Sequence, residues 1–263
     1  MNILMLGDIV GKPGRQVLHE LLPGLMQSEQ IGLCVANGEN AAGGSGLTVA
    51  VARDLLNLGI DVLTSGDHVW KKREIQSIID TEPRLLRPAN LSPEASGRGF
   101  GIFEARGGEK VGVVNLQGRT FMKPADCPFR AARRIVGEMS VETNVIVVDF
   151  HAEATSEKVA MGWFLDGQVS AVVGTHTHVQ TADERVLPNG TAYLTDLGMT
   201  GPHESVIGRR TDRVLKALVT QMPHAFDVAK RDKRISGAIL SVQPETGRAT
   251  EIRRVQLCSQ SET

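Results

Sequence analysis

Seven side chains with metal-ligating atoms lie just beyond short apolar runs in this sequence. Asp8 follows 2–6, Glu39 and Asn40 follow 33–36, Asp67 follows 62–64, His151 follows 145–149, and His176 and His178 follow 171–174. Short apolar runs are strand signals, and ligands gather at strand carboxyl ends in α/β sheets because the loops there can converge. Each residue alone has a plainer reading. Asp8 could open a turn before Gly11, and His151 could be a hydrogen-bonded histidine at a strand end. That five separate strand ends all release ligand-type side chains argues for a shared site. His176 and His178 stand two apart, so on an extended segment both imidazoles would face the same side.

Carboxylates, an amide and imidazoles without a thiolate suit iron, manganese, zinc or magnesium. Seven such groups exceed what one catalytic ion with open positions uses, which indicates two ions. Glu39 is the candidate bridge, since one carboxylate can offer an oxygen to each of two ions about 3.5–4 Å apart. A hydroxide held between such ions is a nucleophile near neutral pH, and the ions neutralise charge on a phosphate in transfer. His68, beside Asp67, is the candidate general acid, because an imidazolium can protonate a departing alkoxide; its other reading is a hydrogen bond behind the ligands. The glycine-rich segment 37–46 lacks both the Gly-Lys-Ser/Thr ending of a P-loop and the dinucleotide fingerprint. Its glycines would let the backbone pass close to the site, where its amides could also meet phosphate. Arg119 reads as a solvated arginine, with phosphate contact as the alternative.

The elements that must position these groups alternate between strand and helix patterns. Beyond the runs already named, strands are expected at 101–105, 111–116, 191–194, 236–242 and 249–255. Pro13 suits a first helical position, followed by Val17, Leu18, Leu21 and Leu22 at helical spacing until Pro23 ends the helix. Thr48 should cap a helix carrying Val51, Ala52, Leu55 and Leu56, with Gly59 closing it. Further helices are expected at 128–139, 158–165 and 209–220. This is more strand than a five-stranded doubly wound sheet needs; two sheets between helical layers or one large mixed sheet would both accommodate it.

With 263 residues, 41% hydrophobic, the sequence fits a single α/β domain over 1–263. Lys plus Arg number 29 against 30 Asp plus Glu, so no overall field draws the chain to nucleic acid or membrane. Cys34, Cys127 and Cys258 are widely separated, which suggests neither a disulfide framework nor a zinc knuckle and fits a reducing compartment. The opening run contains Asp8 and lacks a basic leader, and no apolar stretch approaches the roughly 20 residues that span a bilayer, so a cytoplasmic location is expected. Residues 259–263 are expected to fray.

Six segments in order are Gly7-Asp8-Ile9-Val10-Gly11, Asn37-Gly38-Glu39-Asn40, Gly66-Asp67-His68, His151 with Glu153, Gly174-Thr175-His176-Thr177-His178, and Asp196-Leu197-Gly198-Met199-Thr200-Gly201. Together they resemble the YmdB-like branch of the calcineurin-type metallophosphoesterases over about residues 1–255. The resemblance implies an α/β fold of four αββα layers, two mixed sheets flanked by helices, with a di-iron or di-manganese centre. By position, Asp8, Glu39, Asn40 and His178 would hold one ion and Glu39, Asp67, His151 and His176 the other, with His68 as proton donor. The branch lacks the Asp-Xaa-His first motif common in the superfamily. This chain likewise has Ile9-Val10 after Asp8, and Asn40 takes up the vacancy. One position departs: Asp67 stands where the family has Asn. Its carboxylate makes the site one charge more negative and weakens attraction for an anionic phosphate.

The expected partner is a small-molecule phosphoester. The resemblance implies 2′,3′- or 3′,5′-cyclic nucleotides, other phosphodiesters and phosphomonoesters as substrates. Polymeric nucleic acid is disfavoured, because no basic strip interleaved with aromatics is present; self-association as a homo-oligomer stays open. Two other readings are a metal-binding regulatory protein whose turnover is impaired by Asp67, and a protein of capsule-polymer synthesis.

Overall fold

A run such as Ile3-Leu4-Met5-Leu6 has no polar face, and the fold buries both of its faces. In the computed structural model, which describes residues 1–259, Leu4 and Leu6 join one buried cluster while Ile3 and Met5 join another. The chain builds β1 (Asn2–Leu6), β2 (Asp8–Ile9), β3 (Ile31–Asn37) and β4 (Val62–Thr64), then moves to a second sheet. That sheet holds β5 (Phe100–Glu104), β6 (Lys110–Gln117), β7 (Val145–His151), β8 (Ala171–Thr175), β9 (Arg185–Val186) and β10 (Ala192–Leu194). The chain then returns to the first sheet as β11 (Met199–Pro202), β12 (Lys233–Val242) and β13 (Ala249–Cys258). The first sheet has the order β2-β11-β12-β1-β3-β4 with β13 beside β12, and the second the order β5-β6-β7-β8-β10-β9.

Helices α1 (Gly11–Ser28) and α2 (Val49–Asn57) pack Val17, Leu18, Leu22 and Leu55 on the outer face of the first sheet. Helices α3 (Pro128–Met139) and α4 (Thr155–Leu165) pack Ile135, Met139, Met161 and Leu165 on the outer face of the second. Between the sheets, Ile3, Met5, Leu33 and Val35 meet Val111, Val113, Val147 and Val173. The layers therefore run α, β, β, α, and the choice between one sheet and two is settled in favour of two mixed sheets. Helix α5 (Thr211–Thr220) lies outside them and buries only Val214. Among the described residues, no helix is long and apolar enough to cross a membrane.

Thr48 caps α2 as expected, its hydroxyl accepting from the Val51 N–H at 3.3 Å. Helix α1, however, does not end at Pro23 but runs on to Ser28. Pro23 sits on the exposed face of the helix, as does His19, whose carbonyl loses its partner and can turn to water. Burial of Leu22 and Leu25 on the opposite face, each worth about 1.5–3 kcal/mol, offsets that loss. The strands β2, β9 and β11 have no counterpart in the sequence periodicity. Asp8–Ile9 is extended because it pairs in parallel with Met199 and Thr200. Of the terminal segment expected to fray, residues 260–263 lie outside the described residues. Ser259 is tied down: its N–H donates to the Lys233 carbonyl at 2.9 Å and its hydroxyl to Glu20 at 2.7 Å.

Candidate metal centre

Strands β1, β3 and β4 run parallel in the first sheet, as do β6, β7 and β8 in the second. The ligand-type residues emerge at their carboxyl ends. Asp8 lies in β2, Glu39 and Asn40 follow β3, Asp67 and His68 follow β4, His151 closes β7, and His176 and His178 follow β8. All of them converge. The ligand atoms of Glu39, Asp67, His151 and His176 lie within 4.8 Å of one another. A second cluster adjoins it: Asp8 Oδ1 is 3.6 Å from His178 Nε2 and 3.5 Å from Asn40 Nδ2. Asn40 Nδ2 also lies 3.3 Å from His178 Nε2 and 3.3 Å from Glu39 Oε1, so Glu39 touches both clusters.

The two histidines after β8 reach the site by a different route from alternation on an extended segment. Both have positive φ, 100° at His176 and 65° at His178, so each ring is turned individually. His176 Nδ1 faces His151 Nε2 at 3.0 Å, whereas His178 faces Asp8.

Burial opposes ionisation of Asp8, yet the charges of His178 and His151 and the His176 N–H hold its carboxyl below the usual carboxylate range. Asp67 behaves alike: burial is outweighed by His151, His68 and His176, and its carboxyl is held low. Burial pulls the His151 imidazole down, but Glu39 and Asp67 together raise it well above its ordinary value. The carboxylates thus call for positive charge at His151 Nε2. Asp67 Oδ1 is buried without a hydrogen-bond partner, its approaches to His151 (3.7 Å) and His176 (3.8 Å) being too long for one. A cation among these four groups would answer both demands, and the donor set of carboxylate oxygens and imidazole nitrogens suits one.

Each histidine is aimed by its other nitrogen. Thr175 Oγ1 donates to Asp149 Oδ1 at 2.7 Å and accepts from His151 Nδ1 at 2.9 Å, which leaves Nε2 facing Glu39. Asp149 is fully buried, and its carboxyl is pushed up to about 6 by that burial, against the opposing pull of His151, Thr64 and Thr175. Glu153 Oε2 lies 3.0 Å from His176 Nε2, leaving Nδ1 for the centre, and His178 Nδ1 donates to the Ile207 carbonyl at 3.0 Å. Beneath the His176–His178 turn, the buried Lys158 Nζ meets Asp196 Oδ2 at 2.6 Å, and the same oxygen accepts from the Thr177 hydroxyl at 2.6 Å. Sequence reasoning missed Thr64, Thr175, Lys158 and the role of Asp149. A charged residue inside the apolar run 145–150 was the one available signal.

Gly66 allows the close approach on which His151 depends, for a Cβ there would fall 2.0 Å from the His151 ring. That ring is fully buried and bound at Nδ1, so it cannot retreat. Gly66→Ala is therefore expected to lower metal content and to reduce activity by roughly tenfold or more, the overpacking costing about 1–3 kcal/mol. Elemental analysis of the purified variant checks this; wild-type metal content would contradict it.

The sequence matches the YmdB-like protein family over residues 4–255. The chain belongs to the YmdB-like family. It is 46% identical to the 2′,3′-cyclic-nucleotide 2′-phosphodiesterase of Bacillus subtilis strain 168 over 255 residues, which cover 97% of this chain and 96% of that one. The fold is similar to the crystal structure of a hypothetical protein from Thermus thermophilus, with 39% identity, 98% and 99% coverage and a TM-score of 0.92. It is also similar to a structure described as a novel phosphatase from Mycoplasma pneumoniae, with 31% identity, 98% and 93% coverage and a TM-score of 0.91.

In this YmdB-like centre His68 stands at the rim, with its backbone N–H donating to Glu39 Oε2 at 3.0 Å. Its Nδ1 lies 2.8 Å from Asn40 Oδ1, and Nε2 lies 3.8 Å from Asp67 Oδ2. Asp67 also meets Lys123, whose Nζ is 3.6 Å from Oδ2 and donates to the Asp67 carbonyl at 3.0 Å. The negative charge of Asp67 is thus matched by a nearby lysine. The Arg119 side chain is exposed, and the backbone N–H of Arg119 donates to the Glu157 carboxylate at 3.1 Å.

Proposed function

We propose that this YmdB-like protein is a dinuclear-metal-dependent phosphoester hydrolase acting on phosphodiesters, 2′,3′- and 3′,5′-cyclic nucleotides among them, and on phosphomonoesters. The observation that carries this reading is the convergence of Glu39, Asp67, His151 and His176 donor atoms within 4.8 Å at the ends of parallel strands. The activity named for the Bacillus subtilis relative supports cyclic nucleotides as the substrate class. Glu39, Asp67, His151 and His176 hold one ion, and Asp8, Glu39, Asn40 and His178 hold the other, with iron or manganese favoured over zinc or magnesium. When bound, such ions supply Lewis acidity and a nucleophile derived from water near neutral pH.

The remaining work falls to the chain's own residues. Thr175, Asp149 and Glu153 fix which imidazole nitrogens face the centre. His68, anchored through Nδ1 on Asn40, presents Nε2 to the departing oxygen and protonates it. The test is metal analysis of the purified protein alongside turnover of adenosine 2′,3′-cyclic phosphate with added manganese or iron. Chelation should abolish the activity. A fully metal-loaded protein without turnover of any phosphoester would favour the regulatory reading instead.

Asp67 and Lys123 give a separate prediction. Lys123→Met leaves the additional carboxylate uncompensated, and kcat/KM should fall roughly two- to fivefold, the scale of a largely solvent-facing ion pair. Asp67→Asn alone should raise turnover with metal content nearly unchanged, and combined with Lys123→Met it should restore the loss. Lys123→Met should therefore cost nothing in the Asp67→Asn background, and the same two- to fivefold loss in both backgrounds would show that the two residues act independently.

A further inference from the structure

A cleft of about 320 Å³ opens beside Asp67, and its walls include Trp70, Val69, Leu91 and Pro124 on the apolar side and Lys71 and Lys123 on the charged side. It is continuous with the candidate centre through Asp67 and Gly66. Trp70 is half-buried and packs against the core between α1, α2 and the first sheet, which makes it a fixed surface rather than a mobile side chain. The same tight turn carries all the relevant groups: the Val69 N–H bonds the Gly66 carbonyl at 3.2 Å and the Lys71 N–H bonds the His68 carbonyl at 2.9 Å. Asp67, His68 and Trp70 are therefore held in one rigid unit.

We propose that this cleft is a subsite for the aromatic base of a nucleotide substrate, with Trp70 as the stacking platform. The proposal rests on the phosphodiesterase reading above and specifies its leaving-group side. His68 protonates the oxygen that departs, and in a cyclic nucleotide that oxygen belongs to the ribose bearing the base. The base must then lie on the His68 side of the phosphorus, and this cleft opens beside Asp67, the neighbour of His68 in the same turn. Aromatic platforms accept every base by stacking, and a volume of a few hundred Å³ fits a base with part of its sugar. Lys123 stands at the junction of cleft and centre, where its charge meets the phosphate end of the ligand. Two further cavities lack the ligand-type residues of the centre and are lined by residues such as Arg210 and Lys230 or Lys12 and Lys233.

The chain has two tryptophans, Trp70 and Trp163, and Trp163 is half exposed on α4. Trp163→Phe leaves Trp70 as the only indole reporter. Adenosine 5′-monophosphate should quench its fluorescence saturably, and ribose 5-phosphate should not. In the wild-type background, Trp70→Leu should raise KM for adenosine 2′,3′-cyclic phosphate roughly tenfold or more with kcat within about twofold. KM for ribose 2,3-cyclic phosphate should stay unchanged, and Trp70→Phe should keep most of the affinity. Absence of saturable quenching by adenosine 5′-monophosphate, or equal KM increases on substrates with and without a base, would overturn the subsite. A wild-type protein that hydrolyses neither substrate would remove the phosphodiesterase reading, while the fluorescence titration still decides whether the cleft takes a base.

Discussion

Replacing Glu39 by glutamine is expected to lower bound metal from about two ions per chain toward one or none, and to reduce phosphodiester turnover by roughly 10³-fold or more. Glu39 is 1% exposed, and its Oε1 lies 3.2 Å from His151 Nε2, 3.4 Å from His68 Nδ1 and 3.3 Å from Asn40 Nδ2. It is the acidic group that reaches both clusters. A neutral amide of the same size preserves packing but cannot offset the mutual repulsion of two cations. The loss should therefore be electrostatic, with little change in the folded structure. Elemental analysis gives the ion count, and circular dichroism checks that the fold is retained. Full occupancy in a folded Glu39→Gln protein would remove the shared-ligand assignment.

His68→Ala should cut turnover by roughly 10²- to 10⁴-fold for substrates with poor alkoxide leaving groups, the range of general acid catalysis. Metal content should stay intact, because His68 reaches the centre through hydrogen bonds to Asn40 and Glu39 and stands outside the group of four convergent donors. A nitrophenyl phosphodiester supplies the contrast. Nitrophenolate leaves without protonation, so the same variant should lose far less activity on it. Equal losses on both substrates with metal retained would mean that His68 positions the phosphate, and another group would have to donate the proton.

The subsite proposal complements these two variants. His68 would act on the departing oxygen, and Trp70, two residues further along the same turn, would hold the group attached to it. A KM effect at Trp70 together with a kcat effect at His68 would separate binding from proton transfer within one turn.

The sequence alone determined which residue types could meet a metal and at which ends of which strands they would sit. Val62–Thr64, Pro128–Met139 and the Thr48 cap were legible because each depends on short-range signals: an apolar run, a 3.6-residue stripe, and a hydroxyl before a helix. The convergence of Asp8, Glu39, Asp67, His151 and His176 was legible for the same reason, since parallel strands deliver their carboxyl ends to one edge. Only the tertiary structure decided the rest. Asp8 is extended because Met199 pairs with it, and no local pattern encodes a partner so distant in the chain. The continuation of α1 past Pro23 turned on which face that residue presents to solvent. The Thr175–Asp149 support beneath His151 and the Lys123 charge beside Asp67 each join separate loops and strands. His176 and His178 reach their partners by positive φ rather than strand alternation. Propensity and periodicity act over a few residues, whereas hydrogen-bond partners and compensating charges are chosen by what packing brings within about 3–4 Å, and that is written only in the folded chain.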